Sequence, residues 1–283
     1  MTPVQAPPPE LVQADVARAL AEDHGSGDVT SALLADEAAA GYVVAKEPAV
    51  VAGRPWFDAC FLALDPAVRL HWRVAEGEAV AAGTVVVEFE GRTRALLGAE
   101  RCALNFLQTL SGTATRTAEF VAAVAGTRAR ILDTRKTLPG LRLAQKYAVR
   151  CGGGDNHRIG LYDAVMLKEN HILAAGSIAA AAAEARRRYP QLPLIIEVEN
   201  LDELRQALAT GCTRILVDDF SFEDMREAVR IAGGRIPLEV SGSVSLERVR
   251  EIAETGVDCI SIGALTKHVR AVDYSMRLGP PPG

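Results

Sequence analysis

From Gly126 onward, short apolar runs alternate with amphipathic stretches, and this alternation constrains the fold of the 283-residue chain more than any other feature. Strands are expected at 130–133, 164–168, 194–198, 214–217, 237–240 and 259–262, with helices at 177–188, 201–210, 222–232 and 246–255. Ser177, Asp202, Ser221 and Ser245 stand where N-caps belong, and Gly211, Gly233 and Gly256 where C-terminal glycines belong. So many successive βα units predict a parallel α/β barrel. The competing doubly wound sheet would carry a GxGxxG turn for a dinucleotide, and the sequence has none.

The first third reads differently. Residues 1–9 are proline-rich and expected to be disordered, as is the GPPPG tail. Helical spacing covers 10–22, and Asp28, Thr30 and Ser31 follow as cap or turn formers. From Gly41 to Gly91, alternating runs such as VRLHWRV and TVVVEFEG predict a small sheet. It loosely resembles that of biotinyl or lipoyl carrier modules but has no lysine at the tip. A helix with an apolar stripe of Leu104, Leu107 and Leu110 is expected over 97–124, where Arg101 taken alone reads as a solvated residue.

Charge narrows the function classes. A formal net charge of −5 removes the long-range attraction that nonspecific nucleic-acid or anionic-membrane binding uses. The most apolar helical stretch is interrupted by Glu184 and runs into Arg186, Arg187 and Arg188, so it does not span a membrane. The N-terminus has neither a basic nor an apolar signal region. Cys60, Cys102, Cys151, Cys212 and Cys259 include no CxxC pair and read as reduced, buried thiols of a cytoplasmic protein.

In a barrel, chemistry gathers at the carboxyl ends of the strands. Here those ends hold Arg135-Lys136, Lys168, Glu197, Asp218, Ser241-Gly242-Ser243 and Gly263-Ala264. Glu197 and Asp218 end successive strands and suit a Mg²⁺ that keeps most of its waters and takes its other ligands from phosphates. They could instead pair with Lys168 or Arg135 in a structural ion network, and Glu199, Asp219 and Glu239 are nearby alternatives. The glycine turns at 241–243 and 263–264, the first leading into a helix, can bind phosphate through backbone N–H groups or serve as plain tight turns.

The stretch LDTRKTLPGLRLAQKYAVRCGGGDNHRIGLYDAVMLKENH, 132–171, is strongly basic within an acidic protein. Arg binds carboxylate bidentately and Lys binds phosphate as a point charge, so a ligand with both groups is expected. His157 and His171 are not spaced as a zinc pair, and neither a GxSxG nor a P-loop lysine motif occurs.

That stretch, together with GDVTS, AERCALNFLQTLSGTAT and GALT, strongly resembles the signature of the quinolinate phosphoribosyltransferase family over nearly the whole chain. The resemblance implies an N-terminal α/β sandwich over 10–115, joined by 270–283, and an incomplete, open α/β barrel over 116–269. It implies condensation of quinolinate with phosphoribosyl pyrophosphate to nicotinate mononucleotide, pyrophosphate and CO2, with Mg²⁺ and no organic cofactor.

By the same resemblance, Arg135, His157, Arg158 and Lys168 would line the quinolinate pocket, with Lys136 beside both substrates. Lys136, Lys168, Glu197 and Asp218 would be catalytic. Glu197 and Asp218 would face the ribose and its metal. Ser241, Gly242, Ser243, Gly263 and Ala264 would hold the 5′-phosphate, and Arg101 would enter the site of a partner subunit in a homodimer. The chain departs from the family's usual SGG at Ser243 and from ALTHS at Lys267-His268, which puts the phosphate contacts in question. Two alternatives remain: a related phosphoribosyltransferase acting on nicotinate or another small anionic ring, and a non-catalytic phosphosugar-binding protein on the same fold.

Overall fold

The computed structural model describes residues 4–281, which divide into two compact units. Unit 1 takes the chain up to Ala118, Thr137–Gly153, and everything from Leu265 on; unit 2 is Glu119–Lys136 and Gly154–Ala264. The expected boundary at 115/116 thus falls at 118/119, and the segment 137–153, expected in the barrel, belongs to unit 1.

Unit 1 opens with α1 (Pro9–His24), whose Val12 and Val16 are buried one helical turn apart. Residues 4–8, expected to be disordered, lead into it with Val4 packed against the core, and the expectations for residues 1–3 and 282–283 lie outside the described residues. Asp28 Oδ1 accepts the N–H groups of Thr30 and Ser31, the turn role its position suggested.

The strands β1 (Ala38–Ala45), β2 (Ala49–Val50), β3 (Arg69–Trp72), β4 (Ala79–Val80) and β5 (Val85–Arg92) bracket a helix that the β-rich reading of 41–91 overlooked, α2 (Arg54–Leu64). Its signal is Pro55 in the first turn and buried Trp56, Phe57, Cys60 and Phe61 on one helical face. The Glu76 carboxylate caps it, accepting Gly53 N–H at 2.7 Å and Arg54 N–H at 3.3 Å. The main sheet is antiparallel, and its edge strand comes from the far end of the chain: β12 (Tyr274–Leu278) pairs with β1 in the order β12-β1-β5-β3. The long helix α3 (Thr93–Ala123) carries Leu104, Leu107 and Leu110 into the core and leaves Arg101 exposed. The segment 137–153 contributes α4 (Arg142–Cys151).

Unit 2 holds β6 (Arg130–Leu132), β7 (Val165–Leu167), β8 (Leu194–Val198), β9 (Arg214–Asp218), β10 (Leu238–Ser241) and β11 (Cys259–Ser261). All six are parallel in the order β6-β11-β10-β9-β8-β7. The first strand pairs with the last, which is barrel order; a doubly wound sheet would reverse direction from an inner strand. Among the described residues β6 and β7 are not paired, so the barrel is open at that seam.

Between the strands run α5 (Glu169–Ala175), α6 (Ile178–Arg188), α7 (Leu201–Thr210), α8 (Phe222–Ala232) and α9 (Leu246–Glu254), and α10 (Ala264–Lys267) follows β11. Ser177 and Ser221 cap α6 and α8 through their hydroxyls. The cap of α7 is Asn200 rather than Asp202: its Oδ1 accepts the N–H groups of Asp202 and Glu203. Gly211 and Gly233 close their helices with positive φ.

Register sorts the two faces of the sheet. Leu194, Ile196, Val198, Ile215, Val217, Leu238, Val240 and Ile260 share one face, all buried. Each such side chain contributes about 1.5–3 kcal/mol when removed from water. The opposite face carries Met166, Ile195, Glu197, Arg214, Leu216, Asp218, Glu239, Ser241, Cys259 and Ser261. Ala164, Met166, Ile195 and Leu216 pack together there.

Candidate functional site

The period of two that puts Glu197 on the polar face also puts Asp218 there, on the next strand, and Ser241 beside Asp218. Ser241 donates its hydroxyl to Asp218 Oδ1 at 2.5 Å. Lys168 Nζ lies 2.6 Å from Glu197 Oε2, with the lysine half exposed and the glutamate largely covered. His171 helps set that lysine: its Nδ1 accepts the Lys168 N–H at 3.1 Å as α5 begins.

Arg158 joins this group. Its guanidinium donates to the Ala164 carbonyl at 3.3 Å and lies 3.6 Å from Met166 Sδ. Burial and the neighbouring Arg135 guanidinium push its pKa below the ordinary arginine value, against the pull of Asp163 and Glu197. It remains charged, as arginine does. Two guanidinium groups held close enough to repel form a receptor for an anion.

Lys136 runs over the last strand's turn. A Cβ at Gly263 would come within 2.8 Å of Lys136 Cδ, so the absent side chain is what lets the lysine lie there. The turn at Gly242, with φ +120°, faces Asp219, which sits in the left-handed region at φ +52°. A non-glycine residue in that conformation stores local strain, a feature concentrated at functional sites. Ser243 is exposed beside Gly242, and Ala264 follows Gly263 at the start of α10.

His157 is placed differently from the exposed cations. It is buried, its Nδ1 accepts the Arg158 N–H at 2.7 Å, and its Nε2 stands 3.3 Å from Glu239 Oε1 without hydrogen-bond alignment. Glu239 is fully buried, with Oε2 2.9 Å from Arg214 Nη1. Burial alone would raise its pKa, but the His157 ring, the Arg214 guanidinium and the Ser261 hydroxyl outweigh burial and hold it below the ordinary glutamate value. Glu239, considered from sequence as an alternative metal carboxylate, is therefore part of the barrel interior. Glu199 lies beyond β8 and is exposed, its carboxyl pushed up first by Glu169, then by burial, Glu203, Asp218 and Glu197.

Asp133 escaped the sequence reading. Fully buried after β6, it accepts His157 N–H at 2.8 Å and the Asn156 side chain at 2.6 Å, tying the loop that carries Arg158 to the barrel. Its one local signal is its place directly after an apolar strand and before Thr134-Arg135. Arg214 was missed as well, although it shares a strand face with Asp218. Arg101, expected from a partner subunit, is exposed on α3 in unit 1.

All five cysteines are buried and free. Among the described residues no helix is long and apolar enough to cross a membrane, and no cluster of three or more His, Cys, Asp or Glu could hold a metal. The donor set at the strand ends, two carboxylates, still fits Mg²⁺ supplemented by water and phosphate oxygens.

Comparison with known proteins agrees with this geometry. Residues 28–111 match the family model described as the N-terminal domain of quinolinate phosphoribosyl transferase, and residues 113–277 match its C-terminal domain. The chain is 45% identical over 265 residues to a probable nicotinate-nucleotide pyrophosphorylase [carboxylating] of Synechocystis, covering 92% of this chain and 90% of the relative. It is 42% identical over 274 residues to the nicotinate-nucleotide pyrophosphorylase [carboxylating] of Mycobacterium leprae, covering 93% and 95%. A solved structure of nicotinate-nucleotide pyrophosphorylase from Francisella tularensis superposes with a TM-score of 0.96 at 43% identity, covering 99% of this chain and 100% of that one.

Proposed function

This chain belongs to the quinolinate phosphoribosyltransferase family, and on that premise we propose that it transfers the phosphoribosyl group of phosphoribosyl pyrophosphate to quinolinate, with decarboxylation, in NAD biosynthesis. The observation that carries this reading is the convergence of Arg135, Arg158 and Lys168 beside Glu197. Quinolinate has two carboxylates, and only a site with several fixed cations can bury both.

The ring nitrogen attacks C1′ of the ribose as the bond from C1′ to the pyrophosphate oxygen breaks and its electron pair leaves with pyrophosphate. Positive charge grows on the ribose at this stage, and the carboxylates of Glu197 and Asp218 would stabilise it. The ribosylated ring then accepts the electron pair released when the 2-carboxylate departs as CO2, and a proton from solvent fills C2. Arg135 and Arg158 hold the dicarboxylate in register for attack, and Lys136 neutralises charge on the donor's phosphates. His157 completes the pocket wall, and Ser241, Gly242, Ser243, Gly263 and Ala264 cradle the 5′-phosphate.

Glu197 and Asp218 would hold Mg²⁺, whose contribution is to neutralise charge on the pyrophosphate. No organic cofactor is needed. Arg101 belongs to the site of a second copy in a homodimer, which accounts for a cation standing exposed on α3. Five buried free thiols suit the reducing cytoplasm.

The test is incubation of purified protein with phosphoribosyl pyrophosphate, Mg²⁺ and either quinolinate or nicotinate, following nicotinate mononucleotide and released CO2. Turnover of quinolinate with one CO2 per nucleotide is expected; turnover of nicotinate alone overturns the reading.

A further inference from the structure

The pocket reading lines His157 up with Arg135, Arg158 and Lys168, but its ring nitrogens are both directed into the protein. Nδ1 accepts the Arg158 backbone N–H at 2.7 Å, which requires a lone pair there rather than a proton. An imidazolium would set two donors against each other in a buried place. Nε2 faces Glu239 Oε1 at 3.3 Å, within reach of a hydrogen bond after a small turn of the ring. The charge of Glu239 does not require a cationic histidine, because Arg214 already balances it at 2.9 Å.

Charged groups near the ring have partners of their own. Asp133, from the end of β6, takes the His157 N–H and the Asn156 side chain. Asp155 is paired with Arg130 at 3.3 Å. The guanidinium of Arg158 turns toward Ala164 and Met166. From β11 the neutral Ser261 hydroxyl reaches Glu239.

We propose that Glu239 is a positioning residue that accepts the Nε2–H of a neutral His157, whose Nδ1 fixes the backbone at Arg158, so that His157 orients Arg158 and brings no charge to the substrate. This rests on the reading of Arg158 as a ligand for a substrate carboxylate. The substrate's two negative charges are then matched by Arg135, Arg158 and Lys168. The range that tests this is about pH 6 to 8, where an ordinary imidazole titrates.

The experiment is nitrogen NMR of the whole protein with ¹⁵N-labelled histidine rings, over that pH range, with and without quinolinate. The His157 signals are assigned by their loss in His157→Asn. One protonated Nε2 and one unprotonated Nδ1, unchanged with pH and ligand, are expected. An imidazolium signature, or a KM for quinolinate that rises as His157 loses a proton, overturns the proposal.

A second arm compares Glu239→Gln, which keeps an acceptor oxygen, with Glu239→Leu, which does not. Loss of one hydrogen bond predicts that the leucine variant raises KM about tenfold with kcat little changed, while the glutamine variant stays within about threefold of wild type. Equal losses in the two count against Glu239 acting as an acceptor. If the leucine variant does not fold, the wild-type spectrum decides. That spectrum reads His157 whether or not quinolinate is turned over, so failure of the proposed reaction and failure of this inference are distinguishable.

Discussion

Lys136 lies across Gly263, with its Cδ 2.8 Å from where a Cβ on that glycine would stand. The contact joins the turn after β6 to the turn after β11, neighbouring strands at the mouth of the barrel. Gly263 has no positive φ, so alanine there is not strained in itself, and the lysine chain can swing away. Gly263→Ala is therefore expected to change stability by less than about 1 kcal/mol. It raises KM for phosphoribosyl pyrophosphate several-fold, read from steady-state kinetics beside a urea melt. A large loss of stability with unchanged KM would contradict this placement of Lys136.

Gly242 is the opposite case. Its φ of +120° excludes an L side chain, and an added methyl would drive into the Asp219 carboxylate. Gly242→Ala should cost about 1–3 kcal/mol in the denaturant midpoint and weaken binding of the donor. Asp219→Asn, which tolerates the left-handed conformation, should stay near wild-type stability, while Asp219→Val should not.

If Arg101 serves a second copy's site, Arg101→Ala lowers kcat/KM at least about 30-fold while leaving the fold intact. Mixed with Lys168→Ala, it recovers part of the activity, because one site of the mixed dimer has both residues. Absence of recovery after demonstrated subunit exchange would sink the shared site.

Glu239 gives a pH prediction. Its carboxyl is held below the ordinary value of 4.5 in the folded protein, so its contribution to stability is full above that pH and is lost as pH falls through the lower folded value. Urea unfolding followed from neutral pH downward should show a steeper acid loss in wild type than in Glu239→Gln. Parallel acid limbs would show that another carboxylate controls it.

Much of unit 2 could be read locally. Strand β8 and helices α7 and α8 lie where alternation and helical spacing put them, because these signals depend on residues two to four apart. The shift of the α7 cap from Asp202 to Asn200 is of the same local kind, since both are good caps and hydrogen-bond geometry chooses between them. Helix α2 was hidden by its β-rich flanks, and its cap comes from Glu76, beyond the intervening strand β3, so no local window contains it.

The sequence by itself determined that charged and glycine residues would end successive parallel strands, because period and caps are short-range properties of the chain. Only the tertiary structure decided how those residues divide the work. Register brought Ser241 to Asp218, sheet closure brought Lys136 over Gly263, and the barrel interior drew His157 away from the exposed cations toward Glu239 and Arg214. A buried ionisable group is matched by whatever the fold places within a few ångströms of it, and that distance is not written in sequence separation.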